Sequence, residues 1–358
     1  MKYKEFKYKN INYKLDKVDL KLYLYLFCAF IFLITVGISA VKGEINFEFY
    51  ADSETYMEFM LEKQSFTDII LFNTNMFGPT VILTVLKESY FAVFFFNVFI
   101  VLFSYFTFTK NYKVDKSYFL FCLILSPMFF SSIISINKEI ISLLSLALFF
   151  KFHKTKSVIV LILSILVSFL VRWQMTVFIF SLMILLSSKT PFKNNKKKLI
   201  FIYLISVSIL YFINLSSFEQ FNRIAELGQE SSDEGSGLFS VVLSIQNSGI
   251  LGYFFAFIPK FLFLFIGLIS RYYKLFDFSD FYNNFVVFLQ AVANFVILKN
   301  VFNSKISFNN IFFFSAVVYC IIFALSPIFA PRYLFPAYIM FSLSLAQNKT
   351  TKTDSIKN

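Results

Sequence analysis

The sequence predicts an all-α, polytopic integral membrane protein with about ten transmembrane helices and two outer segments that are re-entrant or interfacial. Three observations predict this fold class. Of 358 residues, 58% are hydrophobic and 55 are Phe, whereas only 15% are charged, and a soluble domain carries about 25% charged residues. Mean hydropathy is +0.70. Apolar runs close to the length of a membrane span recur along the chain, and in lipid such runs must be helical to satisfy their backbone groups.

The apolar runs fall into a long and a short class. Six long runs are residues 22–41, 90–109, 118–136, 199–215, 283–298 and 311–328. Four short runs are residues 140–150, 157–171, 175–188 and 334–346. Each short run abuts a polar cluster. The three clusters are Asn137-Lys138-Glu139, Arg172-Trp173-Gln174 and Pro331-Arg332-Tyr333. To reach spanning length, the short helices must include these clusters, whose charges then lie at the membrane boundary.

Two further apolar stretches, 69–86 and 250–270, are ambiguous because polar residues interrupt them. Short cytoplasmic loops concentrate Lys and Arg, so the sidedness of the loops decides whether these stretches span. If both stay on the outer side, loops 110–116, 151–156 and 189–198 are cytoplasmic and hold 11 Lys. If both span, that distribution is inverted. We therefore expect the two stretches to be the outer segments and both termini to be cytoplasmic.

The chain divides into one membrane domain and two tails. Residues 1–21 form a basic cytoplasmic tail with seven Lys, too charged for a signal peptide. Residues 22–347 form a single transmembrane domain with outer loops 42–89 and 216–282, and residues 348–358 form a cytoplasmic tail.

The net charge of +12 is an orientation signal. With this topology the inner side carries 23 Lys and 5 acids, and the outer side carries 10 basic and 16 acidic residues. The positive excess is therefore explained by membrane orientation, and we expect no nucleic-acid partner. All four Arg fall on the outer side: Arg172, Arg223, Arg271 and Arg332.

The outer basic residues are the candidate ligand-binding residues. Charges at a membrane boundary are costly and mark a polar cavity, and Arg binds phosphate or carboxylate oxygens bidentately. Lys138 and Lys260 join the four Arg as candidates for an outward pocket that holds an anionic lipid head group. The alternative is that Arg172 and Arg332 snorkel, or pair with Glu139 and nearby carbonyls, merely to hold helices together.

Two aromatic residues beside these charges, and one acid after the first span, have two interpretations each. Trp173 and Tyr333 could stack on sugar faces, or could anchor the helices as part of the aromatic belt. Asp52 lies between Tyr50 and Tyr56 in the acidic stretch after the first span. It could act as a general base, or it could be a helix N-cap or turn residue.

The inventory argues against metal and cofactor chemistry. The chain has a single His, His153, and its three Cys lie within apolar runs, which does not favour a disulfide or a thiol site. Asp277 and Asp280 are a weak signal for a cation. Walker, Rossmann, nucleophile-elbow and zincin motifs are absent from the sequence. We expect no metal and no cofactor.

The three polar clusters, the acidic loop after the first span and the Pro-containing segment before Arg271 together resemble bacterial oligosaccharide repeat-unit polymerases, the O-antigen and capsule polymerases. The last cluster continues as Pro331-Arg332-Tyr333-Leu334-Phe335-Pro336. The Asp52 loop also resembles that of GT-C glycosyltransferases, which place an acidic residue after the first helix.

The resemblance implies a glycosyltransferase in the bacterial inner membrane, with its active site facing outward. A growing glycan would move from its polyprenyl diphosphate to a sugar hydroxyl of the next lipid-linked repeat unit. Arg172, Arg271, Arg332, Arg223 and Lys138 would stabilise the leaving diphosphate. Asp52 first, and Glu139 second, would accept the hydroxyl proton. The implied partners are the lipid-linked oligosaccharide, membrane lipid, and chain-length regulator and flippase proteins.

Two alternatives remain open on the sequence. A GT-C enzyme that uses a polyprenyl-monophosphate sugar donor predicts a more essential acidic site and fewer basic contacts. A non-enzymatic transporter of lipid-linked glycans predicts internal repeats and charges spread through the membrane depth, whereas here the charges cluster on one predicted side.

Overall fold

The computed structural model describes residues 17–37, 55–56, 58, 60, 74–87, 89–215, 237–275, 282–326 and 331–357. All regular structure in these ranges is helical and none is strand, as predicted. The main helices are α1 Lys17–Phe32, α2 Thr74–Val85, α3 Tyr90–Asn111, α4 Lys116–Ile124, α5 Pro127–Ile134, α6 Lys138–Thr155, α7 Val158–Val171, α8 Trp173–Leu185, α9 Lys196–Leu215, α10 Gly237–Asn247, α11 Gly252–Ile266, α12 Val287–Asn303, α13 Ile311–Phe323 and α14 Phe335–Lys357.

Four of the described helical stretches are long and apolar enough to cross a membrane. They are Lys17–Thr35, Tyr90–Asn111, Lys196–Asn214 and Asn284–Asn303. A fifth span results if α4 and α5, which meet at a 77° bend, count as one. The helical class and a membrane-compatible character are therefore established, whereas the larger number of spans stays a prediction.

The two helices that flank Arg172 are shorter than a span. α7 has 14 residues and α8 has 13, which corresponds to about 21 and 20 Å at 1.5 Å per residue. The prediction that a helix includes the Arg172 cluster is wrong at Arg172 itself. Its φ of −170° and ψ of 148° are extended, so Arg172 ends α7 and precedes α8, while Trp173 and Gln174 do lie in α8.

The interior is built around α6, α13 and α14, which are buried on most of their faces. A helix that is apolar all round belongs inside a protein or a membrane. α6 packs against α3 and α7, α8 packs against α13, and α13 packs against α14. This packing brings the start of α6, the junction of α7 and α8, and the 3₁₀ turn Pro331–Leu334 into one region.

One face of the helix α7 is apolar and exposed. Val158, Ile159, Ile162 and Leu166 each expose about half or more of their surface. A contiguous apolar surface of this kind on a helix is what contact with lipid requires. It is the expected counterpart of the high overall hydropathy.

At the end of α6 that lies away from Lys138, the turn between α3 and α4 contacts the start of α1 and the helix α14. The Asp115 N–H donates to Ala346 O at 3.1 Å, and Lys349 Nζ lies 3.1 Å from Asp115 Oδ2. Lys116 Nζ lies 3.6 Å from Asp19 Oδ1 near the start of α1. These contacts join the beginning of α1, the turn and α14, three regions that the charge distribution assigns to the inner side.

Candidate functional site

A narrow cleft lies where α6, α7 and the turn before α14 meet. The space between its lining side chains amounts to about 210 Å³ when the open solvent at its mouth is included. Its lining combines charged and aromatic side chains from four segments: Lys138, Glu139, Ser142, Val171, Arg172, Tyr319, Phe323, Arg332, Tyr333 and Pro336. Five of these are residues that the sequence marked as candidates: Lys138, Glu139, Arg172, Arg332 and Tyr333.

The first turn of α6 presents Lys138 and Glu139 to the cleft. Asn137 caps this helix, because its Oδ1 accepts hydrogen bonds from the N–H groups of Glu139 at 3.1 Å and Ile140 at 3.4 Å. Such a cap satisfies backbone donors that a helix leaves unpaired at its start. The cap thereby fixes where α6 begins and which side chains its first turn directs into the cleft.

A buried amide fixes the loop that leads into α6. Asn97 of α3 donates through Nδ2 to the carbonyls of Ser132, Ile133 and Ser135, at 3.2, 3.1 and 2.8 Å. Asn97 is only 1% exposed, and a polar group in such a place is costly unless it is hydrogen-bonded. Asn97 thus holds the end of α5 and the start of the loop 135–137 just before the charged turn.

Arg172 is positioned by its backbone at the junction of α7 and α8. Its N–H donates to Ser168 O at 3.1 Å, and its carbonyl accepts from the N–H of Met175 at 2.9 Å. Close packing of α2 also defines this junction. A Cβ added at Gly78 would lie 1.8 Å from Leu170 O, so only glycine allows the backbone of α2 to approach α7 here.

The side chain of Arg172 has two partners in the cleft. Its Nη2 lies 3.8 Å from Glu139 Oε1, and both side chains are 8% exposed. Its Cζ lies 3.7 Å from the centroid of the Tyr333 ring, a distance that corresponds to a stacked guanidinium. Arg172 therefore joins α6 to the turn before α14.

The turn Pro331–Leu334 contributes Arg332 and Tyr333. Arg332 Cζ lies 6.0 Å from the Tyr333 centroid. The Tyr319 hydroxyl of α13 donates to Tyr333 O at 2.8 Å, and the Tyr319 ring stacks on Phe323 with centroids 4.0 Å apart. This aromatic support fixes the backbone of Tyr333 and therefore the ring on which Arg172 lies.

The cleft carries a surplus of positive charge. Among the described residues that line it, Lys138, Arg172 and Arg332 are basic and Glu139 is the acid. Lys138 and Arg172 are each 6% exposed and Glu139 is 7% exposed. Basic side chains from three segments that converge on one cleft favour the binding of an anion.

The segment after the first predicted span also reaches this region. Lys138 Nζ lies 5.4 Å from the centroid of the Tyr56 ring, and Tyr56 is 1% exposed. Tyr56 follows Asp52 by four residues in the sequence. Asp52 itself lies outside the described residues, as does Arg223, so their candidate roles stay predictions.

Lys260 and Trp173 are described and do not belong to the cleft lining. Lys260 of α11 is fully buried, its Nζ donates to Gln246 Oε1 and to Leu325 O, the latter at 3.4 Å, and it lies 5.9 Å from the Phe239 centroid. Trp173 is 44% exposed at the start of α8, as an aromatic-belt residue would be. Arg271 belongs to the 3₁₀ segment Gly267–Lys274, and its side chain lies outside what the structure describes.

The described residues contain no group of three or more His, Cys, Asp and Glu that could hold a metal ion. The cleft offers one carboxylate and several cations, a donor set that suits an anion better than a divalent cation. The Arg and Lys side chains of the cleft can bind phosphate oxygens. The Glu139 carboxylate can accept a proton.

Sequence reasoning missed Tyr319 and Asn97. Both are single polar residues inside apolar runs. Because a buried Tyr hydroxyl or Asn amide requires a partner, each was a signal for a structural contact between helices. Their partners are distant in the sequence, so no local pattern identifies them.

No family model, curated protein or solved structure matches this chain.

Proposed function

We propose that the protein polymerises polyprenyl-diphosphate-linked oligosaccharide repeat units and transfers the growing glycan to a sugar hydroxyl of the next lipid-linked unit. The observation that carries this proposal is the cleft itself. Lys138, Arg172, Arg332 and Tyr333 come from three separate segments and line one cleft together with Glu139.

The charge of the cleft suits a diphosphate leaving group. In the transfer, the acceptor hydroxyl oxygen forms a bond to the anomeric carbon of the growing glycan. The bond between that carbon and the diphosphate oxygen breaks, and its electron pair leaves with the diphosphate. Arg172, Arg332 and Lys138 would stabilise this developing charge, and the hydroxyl proton would pass to Glu139 or Asp52.

The surroundings of the cleft suit a substrate with a lipid tail. Val171 and Phe323 line it beside the charges, and α7, which ends at Val171, exposes an apolar face along its length. A head group could therefore bind among the cations while its isoprenoid chain stays in the hydrocarbon.

The proposal includes the finer topology expected from the sequence. About ten spans in a GT-C-like arrangement would place the cleft on the outer face of the bacterial inner membrane. The lysine-rich loops would then lie in the cytoplasm. Lipid-linked repeat units delivered to the outer leaflet would be the substrates, and a flippase and a chain-length regulator would be the partners.

The test is to replace the chromosomal gene in the native cell by alleles that encode the Arg172→Ala or the Arg332→Ala variant. Each variant is expected to abolish long-chain glycan while single repeat units are still made and exported, because only the transfer step loses its anion-stabilising group. The readout is the ladder of chain lengths on a gel, with membrane levels of the protein checked by immunoblot.

Lys154→Ala is the matched control, since Lys154 is an exposed base at the opposite end of α6. It should leave the ladder unchanged. A full ladder from Arg172→Ala at normal protein levels would refute the diphosphate-binding role. Loss of the single repeat units as well would favour a glycosyltransferase that acts earlier.

A further inference from the structure

The ion pair between Arg172 and Glu139 is loose for its degree of burial. Its N–O distance is 3.8 Å with both side chains 8% exposed, whereas a charge-assisted hydrogen bond measures about 2.7–2.9 Å. A buried ion pair offsets its desolvation only through close, well-directed hydrogen bonds. Glu139 therefore compensates the charge of Arg172 without forming such a bond with it.

Arg172 does not depend on Glu139 for its position. Its guanidinium stacks on Tyr333 at 3.7 Å, and the backbone of Tyr333 is fixed by the Tyr319 hydroxyl. The N–H donors of a guanidinium lie in its plane, so stacking on a ring does not use them. The guanidinium would keep its place and its donors if the Glu139 carboxylate moved away.

We infer that Glu139 is an internal counter-anion of Arg172, which the phosphate group of the substrate displaces. This inference rests on the proposed function, because it assigns the incoming anion to the diphosphate of a lipid-linked glycan. A phosphate oxygen pair matches the planar fork of Arg172, and it brings more negative charge to the basic cleft than one carboxylate does.

Displacement couples binding to proton transfer. While Glu139 pairs with Arg172, its carboxylate is committed to a cation. Once the diphosphate has replaced it, the same carboxylate is released beside the bound donor and can accept the proton of the acceptor hydroxyl. The site would thus acquire its base only when a donor substrate is present.

The test uses the full chain, purified in detergent, with inorganic pyrophosphate and farnesyl diphosphate as probes. Glu139→Gln removes the competing charge at nearly constant volume. It is expected to bind both probes about fivefold to tenfold more tightly than the wild type, since coupling between contacting charged residues is commonly of this size. Without a probe, this variant should melt at a lower temperature, and the probe should raise that temperature by more than it does in the wild type.

A double variant separates displacement from general charge removal. In an Arg172→Ala background, Glu139→Gln should no longer tighten binding, because the competition acts through Arg172. Asp115→Asn removes an acid that pairs with Lys349 in another part of the chain, and it should leave probe affinity unchanged.

Several results would overturn the inference. One is unchanged or weaker binding by Glu139→Gln when the wild type binds the probes, which would leave the proposed function standing. Another is equal tightening with and without Arg172. If Glu139→Gln does not fold, Tyr333→Leu tests whether stacking on Tyr333 positions Arg172 for the phosphate. Full affinity for the probes in that variant would contradict the inference. Failure of both the wild type and Glu139→Gln to bind either probe would overturn the proposed function as well.

Discussion

Two buried cation sites in this protein have opposite chemistry. In the cleft, Arg172 lies beside two further basic residues and is compensated by Glu139 at 3.8 Å. In the second site, Lys260 is fully buried and contacts neutral groups, the Gln246 amide oxygen and the Leu325 carbonyl. Gln246 also donates to Leu325 O at 3.0 Å, so the three groups connect α10, α11 and the end of α13.

The difference separates a structural cation from a ligand-binding one. A lone Lys held by neutral oxygens from neighbouring helices ties those helices together. Several cations that converge from separate segments on one cleft are suited to bind an anion. Burial of a charge alone, which the sequence could predict for both sites, therefore does not identify function.

The largest expected effect comes from Arg172→Lys. This change keeps the positive charge and removes the planar fork and the stacking surface on Tyr333. Long-chain glycan should fall at least about tenfold, measured on gels from cells with equal membrane levels of protein. A normal ladder would mean that a positive charge at this position is sufficient. The shape of the Arg172 guanidinium would then not distinguish the cleft from the Lys260 site.

Gly78→Ala should have the next largest effect. Its new Cβ would lie 1.8 Å from Leu170 O, which forces α2 and the end of α7 apart and shifts Arg172. We expect a loss of about 1–3 kcal/mol in the free energy of unfolding and a several-fold loss of polymer, measured by thermal unfolding and by gel. Gly267→Ala is the control, because its new Cβ would meet only the Phe263 side chain at 3.2 Å. Equal effects from the two variants would contradict close packing at Gly78.

Lys260→Met should leave anion binding intact. It removes a buried charge but leaves the Gln246 amide oxygen without its donor, so we expect a cost of about 1–3 kcal/mol in the free energy of unfolding and no direct effect on the cleft. Polymer yield should stay within about twofold, the level that simple changes in protein abundance can produce. A loss as severe as that of Arg172→Ala would show that Lys260 belongs to the functional site after all.

The smallest expected change in the free energy of unfolding comes from the ion pair of Asp115 with Lys349. Partial burial acts to raise the pKa of Asp115, but hydrogen bonds from the Tyr118 N–H and from Lys349, with the charge of Lys349, outweigh it and lower the pKa. A lowered pKa stabilises the fold at neutral pH, and this contribution is lost as the pH falls through the folded-state pKa. Because Lys349 is 55% exposed, Asp115→Asn should cost less than about 1 kcal/mol at pH 7.

Thermal unfolding at pH 7 and at pH 3 checks this last expectation. The difference between Asp115→Asn and the wild type should shrink toward the lower pH. A difference that is constant over this range would show that the carboxylate charge contributes nothing.

The sequence predicted the helical class and the polar ends of the short helices, because both follow from local composition. It placed Lys138, Arg172 and Arg332 on one side of the membrane, and the structure brings all three to one cleft. It did not predict that Arg172 would break the helix, since no Gly or Pro stands beside Arg172 to signal a break. Nor did it separate Lys260 from the cleft, because the partners of Lys260 come from other helices.

The most direct test of the central claim is the affinity of the purified protein for farnesyl diphosphate, compared among the wild type, Arg172→Ala and Lys260→Met. Loss of charge-assisted hydrogen bonds should weaken binding by Arg172→Ala about tenfold to a hundredfold, while Lys260→Met binds like the wild type. Equal weakening in both variants, or wild-type affinity in Arg172→Ala, would contradict the assignment of the cleft as the diphosphate site.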